Sequence, residues 1–291
     1  MTALRTGRAL RLGSANLLSG RSLTDGVIDT ERLVEAVRLL EVDLLAVQEV
    51  DRWQPRSNGI DQSGLIARTL GAVDHRFVAT VEGTPGISGW TPSVNPPSGH
   101  PPSSNRPPGN PPVDESPGPE MLSAQFGIAL FSRLPVAEWH VLRLSPARGR
   151  FPLPIPSQPP QVLWLNDEPR AVVAAVLEHP RITIACTHLS FVPTTTIRQL
   201  TAVRRWLATL PGPQLLLGDL NLPGSVIRRV GGWTPLVSSP TFPSSAPRVQ
   251  LDHALAAGLP VGTRALGRIK QLPISDHRAV LIDLDLPTPL G

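Results

Sequence analysis

Short blocks of apolar residues along this chain follow two different periods. Every second residue from Leu10 to Asn16 falls on one face of an extended segment, which predicts a strand that ends at Asn16. From 30 to 41 the apolar residues recur at helical spacing, and Asp29 or Thr30 can cap that helix.

Further blocks are short, rich in Val, Ile and Leu, and typical of buried strands. They cover 43–50, 128–132, 171–177, 182–187, 214–217 and 279–284. A second helix, with one apolar face, is predicted from about 195 to 210 and separates two of these strands. The pattern predicts a layered α/β or α+β domain, a mixed sheet system with helices outside.

Two proline-rich segments interrupt this pattern. Residues 84–120 hold twelve prolines and five glycines, and 151–160 hold five prolines. Because proline lacks an amide donor and has a fixed φ, both segments are predicted to be loops, the first a solvated and disordered insertion. The alternative for the first segment is a docking site for a proline-binding protein partner. Core-like patterns resume after each loop, so we expect a single domain over residues 1–291.

Composition excludes several classes of protein. Cys186 is the single cysteine, so the chain can form neither an intramolecular disulfide nor a multi-cysteine zinc site, and a cytoplasmic location is expected. The longest apolar run, 171–177, is far too short to span a bilayer. The net charge is only +4, and no cluster of basic residues marks a nucleic-acid surface.

Polar residues recur where the predicted strands stop, at positions where a scaffold commonly holds catalytic groups. Each of them alone is more typical of a turn, a surface or a structural histidine. These residues are Asn16, Glu49, His188, Asp219, Asn221, Asp252, Asp276 and His277.

Their order along the chain is specific. The sequence resembles the endonuclease/exonuclease/phosphatase superfamily, the DNase I-like and exonuclease III-like metal-dependent phosphohydrolases. The resemblance runs from about Leu10 to Leu286 and is carried by the first-strand Asn, Gln-Glu, Gly-Ile-Ala-Leu-Phe-Ser-Arg, Thr-His, Gly-Asp-Leu-Asn, Leu-Asp and Ser-Asp-His. It implies a four-layered sandwich, in which two packed sheets carry helices on their outer faces and an active site at one end.

The resemblance also implies a metal site. Glu49 would bind Mg²⁺ or Mn²⁺ with Asn16 beside it, and Asp276 would complete the ligands, because Mg²⁺ prefers oxygen donors. Zinc is not expected from such a set.

The remaining residues would act on water and phosphate. Asp219 would orient or deprotonate the attacking water, and Asn221, on the same side of an extended segment, would hold the phosphate or the nucleophile. His277 would contact the scissile phosphate, with its tautomer fixed by Asp252. His188 would be a second phosphate-binding residue. Arg170 can contact a phosphate oxygen, or it is an ordinary charge at a strand edge.

Three functions stay open at this stage. The first is a Mg²⁺-dependent phosphodiesterase, with DNA or RNA among its candidate substrates, that uses direct water attack. The second is a phosphomonoesterase acting on a nucleotide, a sugar phosphate or a lipid headgroup. The third is a non-catalytic binding protein. The chain lacks the tyrosine of the apurinic endonucleases and the Trp-Cys-Asp-Arg signature of the inositol phosphatases, which argues against both branches.

Overall fold

The computed structural model describes residues 9–85, 90–93, 98–99, 123–155 and 161–287. Two mixed sheets and one separate two-stranded ribbon make up its β structure. The first sheet has the order β15-β16-β1-β2-β6-β3-β4, with β5 also paired to β3. Its strands are β1 (Leu10–Asn16), β2 (Leu44–Arg52), β3 (Asp74–Glu82), β4 (Thr91–Pro92), β5 (Ser98–Gly99), β6 (Gln125–Ser132), β15 (Arg264–Lys270) and β16 (Ala279–Asp285).

The second sheet has the order β13-β14-β12-β11-β10-β7. Its strands are β7 (Val136–Leu144), β10 (Arg170–Leu177), β11 (Thr183–His188), β12 (Gln214–Asp219), β13 (Thr234–Pro235) and β14 (Asp252–Ala257). The ribbon pairs β8 (Arg150–Ile155) with β9 (Gln161–Asn166). The α-helices are α1 (Thr30–Leu40), α2 (Gln62–Leu70), α3 (Pro193–Leu207) and α4 (Gly224–Val230).

The sheets pack face to face, and the helices cover their outer faces. One apolar core, which includes Leu12 and Val173, lies between the sheets. A second core joins α1 and α2 to the first sheet, and a third joins α3 and α4 to the second sheet. The predicted four-layered sandwich is confirmed.

Burial on both faces explains the longest apolar run. All eight residues of β10 are buried, because alternate side chains enter the core between the sheets and the core beneath α3. A strand covered on both sides reads as a continuous apolar block rather than an alternating one.

Both proline-rich segments differ in part from the loop prediction. Residues 86–89, 94–97 and 100–122 lie outside the described residues, but β4 and β5 pair with β3. The loop predicted at 151–160 was wrong over its first half, because 151–155 form part of β8. Pro152 and Pro154 occupy alternate positions, so both nitrogens can face the open edge of the ribbon, where no donor is needed.

None of the helices in the described part of the chain is long and apolar enough to cross a membrane.

Candidate active site

The ends of several strands converge at one end of the sandwich. β1 and β2 are parallel, so Asn16 lies beside Gln48 and Glu49 follows directly. In the second sheet, His188 is in register with Asp219 on the parallel pair β11 and β12. Asp252 opens the antiparallel β14 opposite Asp219. Asp276 and His277 come just before β16, and Arg170 begins β10 at the same end; the structure thus brings every predicted site residue to this end of the sandwich.

A β-bulge aims the side chain of Glu49. The register of β2 against β6 shifts between Val47 and Val50, and Glu49 has a φ of 56°. A bulge re-aims the side chain that it carries. Gln48 is therefore fully buried between the sheets, while the half-buried Glu49 faces the site.

Asn16 joins the two sheets through its amide group. Its Nδ2 donates to Glu49 Oε1 at 2.8 Å and to Asp219 Oδ2 at 3.1 Å. Its Oδ1 accepts the backbone amide of Leu18 at 3.1 Å. In this arrangement the Nδ2 group of Asn16 holds two carboxylates in place by donating to them. To bind a metal ion, Asn16 would have to direct its Oδ1 toward the ion.

The carboxylates at the site repel one another. Burial raises the pKa of Glu49 to about 7, and the charges of Asp276 and Asp219 act in the same direction against the hydrogen bond from Asn16. Burial also raises the pKa of Asp219, and the positive charge of His277 partly offsets this increase. The site therefore concentrates negative charge that a cation would neutralise.

Asp219 and Asn221 form a compact turn. The backbone amide of Asn221 donates to Asp219 Oδ1 at 2.9 Å, and Asn221 has a φ of 50°. This is an Asx-turn rather than the extended segment expected from the sequence, and asparagine tolerates its left-handed conformation. Gly218 has a φ of 148°, and a Cβ there would collide with the backbone oxygen of Thr187, so glycine is required just before Asp219.

His277 and Asp252 form a buried pair. Nδ1 of His277 donates to Asp252 Oδ2 at 2.8 Å, and its Nε2 lies 3.8 Å from Asp219 Oδ2. Burial alone would lower the pKa of His277, but the carboxylates of Asp252 and Asp219 raise it to about 10. His277 is therefore a cation at neutral pH, with Nε2 directed into the site.

His188 differs from His277 in charge. Burial, together with the charges of Arg170 and His277, lowers the pKa of His188 well below 6.5. Nδ2 of Asn221 lies 3.2 Å from Nε2 of His188 and donates to it when the ring is neutral with its proton on Nδ1. A hydrogen bond from His188 to phosphate would require the other tautomer.

Arg170 is a buried cation beside two carboxylates. Only 7% of Arg170 is exposed, and its guanidinium forms ion pairs with Asp167 at 3.6 Å and with Glu168 at 3.9 Å. Its Nε has no hydrogen-bond partner. A guanidinium whose donors are not all used in hydrogen bonds can also bind an anion.

Two residues in the site had no role in the sequence analysis. Ser275 Oγ donates to the backbone oxygen of Asn16 at 2.7 Å and accepts the amide of His277 at 3.0 Å. The Ser-Asp-His motif contained this residue but gave no sign that it ties His277 to β1. Phe242 packs against the His277 ring, with centroids 4.9 Å apart, and no sequence pattern marks it.

Asp219, Asp252 and His277 also lie close enough to hold a metal ion among themselves. However, Asp252 Oδ2 and His277 Nδ1 are already joined by a hydrogen bond. Among the described residues Glu49 forms no ion pair with a cation, and its carboxylate supplies the kind of oxygen donor that Mg²⁺ prefers.

The chain is similar to known proteins in sequence and in fold. The sequence matches the Endonuclease/Exonuclease/phosphatase family over residues 13–277. A structure of an endonuclease/exonuclease/phosphatase from Beutenbergia cavernae has a TM-score of 0.62 at 18% identity and covers 98% of this chain and 73% of its own. A comparison with curated protein sequences finds no match.

Two other structural neighbours act on different substrates. Sphingomyelinase C from Streptomyces griseocarneus has a TM-score of 0.54 at 13% identity, covering 94% of this chain and 98% of its own. A mannosyl-6-phosphatase from Bacteroides thetaiotaomicron has a TM-score of 0.53 at 12% identity, covering 96% and 100%. At these identities the likeness concerns the fold alone. The family match extends over most of the chain, and the protein therefore belongs to the Endonuclease/Exonuclease/phosphatase family of phosphoester hydrolases.

Proposed function

We propose that this protein is a divalent-metal-dependent hydrolase of phosphodiesters that cleaves its substrate by direct attack of water. The observation that carries the proposal is the network of hydrogen bonds from Asn16 to Glu49 and Asp219, which the 3.8 Å ion pair between Asp219 and His277 extends to the His277–Asp252 pair across the two sheets. The network thereby places the carboxylate of Glu49, the cationic ring of His277 and the buried carboxylate of Asp219 at one site.

The donor set fits Mg²⁺ or Mn²⁺. Glu49 would hold the ion, with Asp276 and the oxygen of Asn16 as further ligands. Burial, together with the charges of Asp276 and Asp219, raises the pKa of Glu49, and such an ion would stabilise its charged form. When bound, the ion neutralises charge on the phosphoryl oxygens.

The protein's own residues divide the remaining work. Asp219 accepts the proton of the attacking water, and its two oxygens are fixed by Asn16 and by the amide of Asn221. His277, held by Asp252, stabilises the charge on the phosphate or protonates the leaving oxygen.

Two further groups complete the phosphate site. Arg170, whose guanidinium forms no hydrogen bond to Asp167 or Glu168, binds a phosphoryl oxygen. Asn221 and His188 hold the other non-bridging oxygen of the phosphate. Either both side chains contact it, or one contacts it and is oriented by the other.

Hydrolysis of simple chromogenic esters tests this proposal. Wild-type protein should cleave bis(p-nitrophenyl) phosphate with added Mg²⁺ or Mn²⁺ but not with EDTA, and the variant His277→Ala should lose that activity. His140→Ala, at a surface histidine, is the matched control and should retain it.

The outcomes separate the candidate functions. Activity that persists in both variants would point to a contaminating hydrolase, and loss of activity in both would point to a general folding defect, which circular dichroism would reveal. Preferential cleavage of p-nitrophenyl phosphate would overturn the diester assignment in favour of a phosphomonoesterase. Metal-dependent nicking of supercoiled plasmid, absent in His277→Ala, would assign nucleic acid as the substrate.

A further inference from the structure

The ribbon formed by β8 and β9 extends from the turn between β7 and β10. Leu144, at the end of β7, pairs with Arg170, at the start of β10, so residues 145–169 form the connection at the catalytic end. Asp167 fixes the base of this connection, because its Oδ2 accepts the Ala147 amide and the Ser190 hydroxyl, each at 2.7 Å. The ribbon is therefore anchored beside the site.

Both faces of the ribbon expose apolar side chains. Val162, Leu163 and Trp164 are 54%, 41% and 56% exposed. Because consecutive residues of a strand point to opposite faces, exposure of all three means that neither face is covered. Across the ladder, Pro152 is paired with Trp164 and Phe151 with Leu165, so apolar residues occupy both faces of both strands.

The distribution of charge on the ribbon is polarised. No charged residue occurs between Arg150 and Asp167 in the sequence. Arg148 and Arg150 are exposed at the base, where Nη2 of Arg150 donates to the backbone oxygen of Trp164 at 2.7 Å. An apolar projection with cations at its base matches the change from hydrocarbon to anionic headgroups at a membrane surface.

These features favour lipid over a protein partner. A strand that docks on a protein usually buries one apolar face and leaves the other face polar. Apolar residues on both faces indicate immersion in an apolar medium, and tryptophan is typical of the membrane interface. Pro152 and Pro154 also remove amide donors from the β8 edge, which disfavours strand addition by a second copy.

The geometry points to the β8–β9 ribbon as a device that inserts into the surface of an anionic phospholipid bilayer and presents the site to phosphodiesters of lipid headgroups. Membrane binding by the ribbon stands on its own, whereas the lipid phosphodiester as substrate class rests on the proposed function.

Vesicle binding tests the ribbon independently of catalysis. The full-length protein should co-sediment with vesicles of phosphatidylcholine and phosphatidylglycerol, and less with pure phosphatidylcholine. The double variant Val162→Ser/Trp164→Ser should lower the partition coefficient by about tenfold or more, since two apolar side chains no longer leave water. Val261→Ser/Leu266→Ser is the matched control, because it removes two exposed apolar residues elsewhere, and should bind as the wild type does.

The contrary outcomes are distinct. Absence of wild-type binding, or an equal loss in the control, would overturn the membrane assignment. Dimerisation of the wild type in solution that disappears in Val162→Ser/Trp164→Ser would assign the ribbon to a second copy instead.

A kinetic comparison separates this inference from the proposed function. With bis(p-nitrophenyl) phosphate in solution, the ribbon variant should retain wild-type turnover, and it should lose activity only on phospholipid vesicles. Vesicle binding without hydrolysis of any phosphodiester would keep the membrane contact and overturn the lipid phosphodiester as substrate class. Hydrolysis of the soluble ester without vesicle binding would support the proposed function and overturn the membrane contact.

Discussion

Nδ1 of His277 lies 2.8 Å from Oδ2 of Asp252, although the two residues belong to different sheets. Asp252 opens β14 in the second sheet, and His277 comes just before β16 in the first. Both residues are buried, so the formation of a charged pair at this position costs desolvation. The pair keeps the other ring nitrogen directed toward Asp219.

Replacing Asp252 tests this pair directly. Asp252→Asn removes the charge that orients His277 and helps to keep its ring protonated, and we expect turnover to fall on the order of 10² or more. The exposed Asp285→Asn, which makes the same chemical change on β16, should have no effect. Steady-state kinetics on a soluble ester measure both, and turnover near that of the wild type in Asp252→Asn would remove the proposed role.

Glu49→Gln should abolish the stabilisation of the protein by metal. The wild type should show a higher Tm with Mg²⁺ or Mn²⁺, because a ligand that binds only the folded state stabilises it. Without metal, the Glu49→Gln variant should be at least as stable as the wild type, since a crowded carboxylate is gone. Calorimetric scans with and without metal measure both effects.

The matched control for this substitution is Glu178→Gln, at an exposed position. It should respond to metal as the wild type does. A Tm increase that persists in Glu49→Gln would place the ion elsewhere, with Asp219, Asp252 and His277 as the next group to test.

Arg170 should contribute to substrate binding. Arg170→Gln removes charge-assisted hydrogen bonds to the phosphate, so kcat/KM should fall by roughly 10- to 100-fold. Arg170→Lys should recover only part of the loss, because lysine cannot reproduce the guanidinium fork. The exposed Arg181→Gln should behave as the wild type, and an unchanged kcat/KM in Arg170→Gln would make Arg170 an ordinary structural cation.

His253 should make the protein less stable in acid. Burial lowers the pKa of His253 below 6.5, and its Nε2 donates to the backbone oxygen of Leu222 at 2.8 Å. The unfolded chain therefore takes up the proton first as the pH falls, and stability that is present above pH 6.5 is lost below it.

The slope of this loss is up to about 1.4 kcal/mol per pH unit for one group. Denaturant unfolding between pH 7 and pH 5 should show a shallower decline for His253→Gln than for the wild type. The half-buried His140→Gln should leave the decline unchanged. Equal slopes in His253→Gln and the wild type would exclude His253 as the source.

Local patterns were sufficient for the elements with strong periodicity. α1 begins after Asp29, whose side chain accepts the amide of Arg32, as the capping pattern predicted. The seven-residue apolar run became β10, because burial on both faces removes any need for polar alternation. The β8 strand was missed because alternate prolines resemble a loop when the partner strand is unknown.

The order of polar residues at strand ends identified the family, and the family match confirms it. The sequence could place Asp219 and Asn221 near each other, since they are two residues apart. It predicted an extended segment between them, whereas a side chain to backbone hydrogen bond folds that segment into a turn. The roles of these residues stay predictions.

By itself, the sequence determined the layers, the strand ends and the residue types available for chemistry, because these depend on local periodicity and on the intrinsic properties of side chains. Only the tertiary structure decided which groups meet. Asn16 is 203 residues from Asp219, yet it donates to that carboxylate, because two sheets pack with their strand ends together. Likewise, the difference in charge between His277 and His188 follows from the burial of each ring and from the carboxylates and cations that surround it after folding, and no spacing in the sequence encodes that.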